Sequence, residues 1–428
     1  MVVACRSRRI VQPPACSRRK AWLLALVLCG LTVHSADLRA QNRRARVTQG
    51  ARSARSSEPR DYKSPNFLLH SDLDPQEAAD LLKRLEKMLS LISRYWGRPN
   101  RQPIECYVVK DLNNWPERSL HPLGREKVAE RAGVTVTRTL TQGNRFLARS
   151  IVYAIAERGT PQHEAVHAYC GQVFGRTGPT WYAEGMAEMG NYWKDGDRSV
   201  NCDPLIVEYL RSSPPRSLNE IVNGQSSSGD SWQNYAWRWA LCHLLANNSN
   251  YAVRFRPLGL ALLTGQDVSF EQVYGSMARE ISFEYLFFLK HLELGYRVDL
   301  CSWDWKGKFR SPRAGKGTSA KVKANAGWQT SRIRVRNDDE YEYTSVGEWQ
   351  IEADGEALTA DGNSDGVGKL VGIVFNDDYE LSEPFDLGID GKFSVPADGR
   401  LYLRCRDKWG SLADNKGRVA VRIRMATP

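Results

Sequence analysis

The sequence predicts an α+β domain followed by an all-β sandwich. Three observations carry that reading. The first half of the body alternates short β-type apolar runs with long segments whose apolar residues recur at helical spacing. From residue 321 onward the pattern becomes short alternating runs separated by turn residues, with no helical period. With 428 residues, 42% hydrophobic and 25% charged, the chain is long enough for two globular units and apolar enough to build a core in each.

The N-terminus stands apart from both. Six basic residues (Arg6, Arg8, Arg9, Arg18, Arg19, Lys20) precede an apolar run over residues 21–33. That run is too short to cross a hydrocarbon core, which takes about 20 residues. A basic stretch, a short apolar stretch and then small residues read as a secretory signal over residues 1–36; an uncut membrane anchor is the alternative. Residues 37–63, rich in Arg, Ser and Gln, read as a basic disordered linker. The net charge of +11 lies here, because residues 1–63 hold 14 Lys/Arg against three acids while the rest carries 46 of each sign. A neutral body lacks the electrostatic footprint of a nucleic-acid binder. The expected product is secreted, periplasmic or surface-held, with no stable membrane span after signal cleavage.

The α+β domain is assigned to residues 64–300. A strand, FLLHS, comes first. Asp74 is placed as an N-cap with Pro75 at N1, and Leu81, Leu82, Leu85, Leu89 and Ile92 recur at helical spacing, so a helix runs over 75–96. A β-type run, IECYVVK, follows at 104–110, and after a polar stretch another at 149–156. Two helices are expected near 161–174 and 179–193, then helical patterns near 231–247, 255–264 and 269–294. Residues 301–320, rich in Lys, Gly and Ser, read as a linker. Runs such as SRIRVR, KLVGIVF, RLYLRCR and RVAVRI then make the sandwich, residues 321–428. Six cysteines lie in this body (Cys106, Cys170, Cys202, Cys242, Cys301, Cys405). An even number in an exported chain permits disulfides, while apolar surroundings suit free buried thiols; both readings stay open.

The chemistry concentrates in His163-Glu164-Ala165-Val166-His167, an H-E-x-x-H pentapeptide. On a helix, residues four apart share a face, so both imidazoles can bind one Zn²⁺ with Glu164 beside it as general base. Thr160 is expected as the N-cap and Pro161 at N1. A catalytic zinc site needs a third protein ligand, and Glu184 stands 17 residues past His167 in WYAEGMAE. Thr180 can cap that second helix, and the GRTGP turn lets it fold back. Glu188, one turn on, can accept a hydrogen bond from a ligand histidine.

These two segments, HEAVH and WYAEGMAE, resemble the gluzincin metallopeptidases, specifically the peptidase-MA-like branch, over about residues 65–295. The resemblance implies a zincin-like fold, zinc on His163, His167 and Glu184, and Glu164 as the base that activates a metal-held water against a peptide bond. Such an enzyme needs a donor for the oxyanion besides the metal. Tyr235 and His243, in SWQNYAWRWALCHLL, are the candidates, and Tyr235 is taken as the catalytic one. Tyr153 is placed on an edge strand that would align substrate.

Near the chain end, Asp407, Ser411, Asp414 and Asn415 form a loop of hard oxygen ligands suited to Ca²⁺ between two strands. The whole module is similar to the calcium-dependent galactophilic bacterial lectins, whose calcium loop these four residues match in spacing. The resemblance implies Ca²⁺ and a surface glycan as partners. It departs at residues 352–368, which contain no histidine where those lectins supply one, so galactose specificity does not carry over. The expectation is therefore an exported zinc-dependent peptidase acting on a peptide or protein, with a C-terminal carbohydrate- or surface-binding module. The alternative is a non-catalytic exported binding protein with a vestigial or structural zinc site.

Overall fold

The computed structural model describes residues 58–142, 145–157, 159–224, 231–312 and 316–427; the expected signal segment and residues 37–57 lie outside them. The last part of the expected linker is not irregular. Arg60–Lys63 form a strand, β1, paired antiparallel with β2 (Phe67–Ser71). Polar composition hid it, since an edge strand gains its ladder of backbone hydrogen bonds without burying its side chains.

A 22-residue helix, α1 (Pro75–Trp96), follows with the expected start. The Asp74 carboxylate accepts from the amides of Gln76 and Glu77, and Glu77 reaches back to the Asp74 amide. The helix stops at Gly97, whose φ of +69° is open to glycine at no steric cost. Its buried stripe, including Leu81, Leu85, Leu89 and Ile92, lies in the main core. The chain returns through β3 (Ile104–Val109) parallel to β2, then α2 (Pro122–Ala129) and a hairpin of β4 (Gly133–Gln142) and β5 (Arg145–Ile155). The five strands stand in the order β1-β2-β3-β5-β4. β4 therefore forms one edge, and β5 is paired on both sides. This moves Tyr153 off the edge where it was expected: its ring instead stacks on Tyr107, with centroids 5.1 Å apart.

Helix α3 (Thr160–Phe174) lies across β3, β4 and β5, and α4 (Thr180–Tyr192) packs on α3. Neither expected threonine cap forms. Gly159 and Pro179 occupy the cap positions and supply no side-chain hydrogen bond. Then come α5 (Pro204–Ser212), α6 (Leu218–Asn223), α7 (Trp232–Asn247), which packs on α4, and α8 (Ala252–Thr264). The expected long helix at 269–294 is two, α9 (Phe270–Tyr274) and α10 (Ala278–Lys290), divided by a tighter turn at Gly275–Met277. Among the described residues no helix is long and apolar enough to cross a membrane. All six cysteines there are buried and free.

The C-terminal module is two four-stranded antiparallel sheets. One holds β6 (Thr318–Lys323), β13 (Lys416–Met425), β8 (Tyr341–Gln350) and β11 (Asp390–Phe393); the other holds β7 (Gln329–Val335), β12 (Gly399–Cys405), β9 (Leu370–Phe375) and β10 (Phe385–Asp386). Alternation works as the sequence demands: in β13, Val419, Val421 and Ile423 point inward between exposed neighbours. β9 breaks the alternation and is buried throughout. Its Leu370 and Val374 enter the sandwich core, while Val371, Ile373 and Phe375 pack outward against Phe287 and Trp303.

That second contact fuses the halves, which belong to one unit, Arg55–Pro428. The first part of the expected 301–320 linker is packed into it, with Trp303 2% exposed. Glu284 on α10, itself 4% exposed, accepts from Tyr251 Oη at 2.8 Å, Asn250 Nδ2 at 3.0 Å and the Trp303 amide at 3.3 Å, and also from Asn248 and Trp305. Five donors let a carboxylate stay buried where an unpaired one would be expelled.

Candidate functional site

The site begins with two helices crossing. α3 presents His163 and His167 on one face, one turn apart, and the GRTGP connection turns α4 back so that Glu184 meets them. One ligand atom from each lies within 4.8 Å of the others, the single such group of His, Cys, Asp and Glu among the described residues. Glu184 Oε2 is 3.1 Å from His163 Nε2 and 3.4 Å from His167 Nε2, and the two Nε2 atoms are 3.1 Å apart. Two imidazole nitrogens and a carboxylate oxygen at such spacing bring lone pairs together. A proton or a metal cation must sit among them, and this donor set can hold a divalent cation of the borderline kind.

The other nitrogen of His163 is also committed. Glu188 Oε1 accepts from Nδ1 at 2.8 Å. Glu188 is in turn held by Asn191 and by the Tyr192 hydroxyl. Burial pushes the His163 imidazole toward its neutral form, but Glu184 and Glu188 outweigh burial and raise its pKa well above the usual histidine range. Burial likewise disfavours the charged form of Glu184, and the two histidines overcome it, holding the carboxyl well below the usual range. The pocket stores negative charge in excess, which is what a cation site requires.

Glu164 is 8% exposed and faces β4. The Thr135 hydroxyl lies 2.9 Å from its Oε2 and 2.8 Å from its backbone oxygen. Gly133 makes room for it: a Cβ there would come within 2.6 Å of Glu164 Cγ and 2.9 Å of Thr160 Cγ2. Tyr235, in the first turn of α7, sets its ring 5.2 Å from that of His163, so the structure brings this candidate to the histidines. His243 is not brought there. Its ring sits between Trp239 and Phe288, 5% exposed, and burial depresses its pKa to about 4.

Thr135, Gly133, Tyr192 and Asn191 escape a reading of the sequence. The alternation in GVTVTRT signals the strand that carries the first two, but its threonines read as polar.

In the C-terminal loop, Asp407 and Asn415 are brought together: Asn415 Nδ2 donates to Asp407 Oδ2 at 3.0 Å and to Ala324 O at 3.3 Å. Asn415 is 3% exposed, and its Oδ1 is buried with no partner. An orphaned acceptor beside a carboxylate fits a hard cation. Ser411 ends a short tight turn, and Asp414 is exposed; among the described residues no hydrogen bond ties either to the pair.

No protein-family model matches the chain, and no curated protein matches it. Among solved structures it is similar to one described as "EclA N-terminal domain; PllA-like lectin", at 18% identity and a TM-score of 0.20, over 25% of this chain and 95% of that one.

Proposed function

We propose that the chain is a zinc-dependent peptidase of gluzincin type, exported by its N-terminal signal, whose C-terminal module binds calcium and a surface carbohydrate. The observation that supports the enzymatic half is the convergence of His163, His167 and Glu184 with Glu164 and Tyr235 at their margin. When bound, the metal supplies a Lewis acid for the scissile carbonyl and its attacking water. His163, His167 and Glu184 hold it, and Glu188 keeps Nδ1 of His163 as a donor so that Nε2 offers its lone pair. Glu164, steadied at Oε2 by Thr135, takes a proton from the attacking water and delivers it to the leaving amine. Tyr235 donates to the oxygen on which charge develops.

The calcium reading rests on the orphaned Oδ1 of Asn415 beside Asp407. Asp407, Ser411, Asp414 and Asn415 are the proposed ligands, and a glycan array with and without Ca²⁺ tests them: binding indifferent to Ca²⁺, or absent, removes this half.

The enzymatic half is tested by metal analysis and a peptide-library assay on wild type, Glu164→Gln, His167→Ala and Glu184→Ala. About one zinc per chain is expected in wild type and Glu164→Gln, and none in the other two. Turnover should fall at least about a thousandfold in Glu164→Gln. Full activity in that variant would overturn the mechanism, and zinc without hydrolysis in wild type would leave a metal-holding binding protein.

A further inference from the structure

Between α10 and the outer face of β9 and β12, a cavity of about 410 Å³ opens beside Arg404. Arg404 is 5% exposed. Its Nε donates to Cys405 O at 3.0 Å and its Nη2 to Asp407 O at 2.6 Å. The guanidinium carbon sits 3.7 Å from the centre of the Trp409 ring and 5.6 Å from that of Trp328. Carbonyls and indole faces satisfy and polarise a guanidinium but bring no neutralising charge. Among the described residues no carboxylate comes within ion-pair distance of Arg404, and nothing accepts from Nη1. A charge taken from water without a counter-charge weighs heavily against folding.

The lining carries three cations, Lys290, Arg404 and Arg406, against two carboxylates, Glu383 and Asp407. Lys290, at the end of α10, reaches the rim without an ion pair among the described residues. The Asp407 carboxylate favours the Arg404 cation from beyond ion-pair distance, but its oxygens are turned to the Lys408 amide and to Asn415, not to the guanidinium. Glu383 is exposed at the mouth, and Arg406 on the lining is paired with Asp386. His291, also on the lining, has its pKa lowered to about 4 mainly by burial, to which the cations Lys290, Arg404 and Arg211 add. The remaining wall is apolar, made by Val371, Ile373, Leu381 and Phe287.

We propose that this cavity binds an organic anion, its carboxylate or sulfate head on Arg404 and Lys290 and its apolar body against Val371, Ile373 and Leu381. The volume exceeds what an inorganic ion fills and lies in the range of small-molecule sites. Neither half of the proposed function requires such a ligand; the site uses no atom of the candidate zinc centre, and it borders the proposed calcium loop only at Asp407.

Titration calorimetry on the full chain in EDTA tests it, with octanoate, octyl sulfate and 1-octanol, all below micelle-forming concentration. Saturable one-to-one binding of both anions is expected, at least about tenfold tighter than the alcohol. Lys290→Glu should weaken both anions at least about tenfold, and Arg404→Leu should abolish their binding. Octanol binding as tightly as octanoate, anion binding unchanged in Lys290→Glu, or no anion binding at all would each overturn the proposal. Should Arg404→Leu fail to fold, exposed Lys290 still decides. Zinc content and hydrolysis, read in the same variant, separate this outcome from that of the metal centre.

Discussion

The two nitrogens of His163 face two carboxylates, Glu184 at Nε2 and Glu188 at Nδ1, and the second fixes what the first can do. With Nδ1 donating to Glu188 at 2.8 Å, the ring can turn and its tautomer can change only by breaking a buried charge-assisted bond. Glu188→Ala should therefore weaken metal binding by about 10- to 100-fold while leaving the fold intact, measured by chelator competition. An unchanged affinity would show that Glu188 serves packing alone. Glu188 was legible in the sequence because it lies one helical turn past Glu184. Tyr192, which donates to Glu188, was not, since nothing in an aromatic at a helix end tells which way its hydroxyl points.

At the scale of elements, β4 decides how Glu164 is presented. Gly133 leaves the space that Glu164 Cγ fills, so a side chain there has to displace either the carboxylate or the strand. If the proposed function holds, Gly133→Val should lower peptide hydrolysis at least about tenfold with zinc content unchanged, because the proposed metal ligands sit on α3 and α4; loss of zinc in that variant would mean that β4 supports the helices themselves. Elements were readable where two signals agreed. α1 showed a cap, a proline at N1 and an apolar period together, and the outer strands of the sandwich alternated cleanly. β4 was missed because its alternation is between threonine and valine, which differ in polarity but share a branched Cβ suited to a strand. The threonine caps of α3 and α4 failed because each chain enters its helix one residue earlier, at Gly159 and Pro179.

Across the whole molecule, the junction was the least legible part. Residues 301–320 are rich in lysine, glycine and serine, yet Trp303 and Trp305 within them fill the space between α10 and β9. Burial there also extends to ionisable groups, and His243 in the helical half sets a pH limit. Its pKa is about 4 in the folded chain against about 6.5 when unfolded. Between those values the unfolded state binds the extra proton, so stability rises with pH and is lost as pH falls from 6.5 toward 4. The term amounts to about 3 kcal/mol. Thermal midpoints across that range should fall more steeply for wild type than for His243→Phe, whose ring can take the same stack on Phe288; parallel curves would remove His243 from the account. The six cysteines carry a practical consequence. From residue 58 onward every thiol lies under other side chains, and burial raises the pKa of each. The described surface is thus silent to maleimides, and in a chain freed of residues 1–36, which hold Cys5, Cys16 and Cys29, one cysteine introduced on an exposed turn would be a unique handle for a fluorophore.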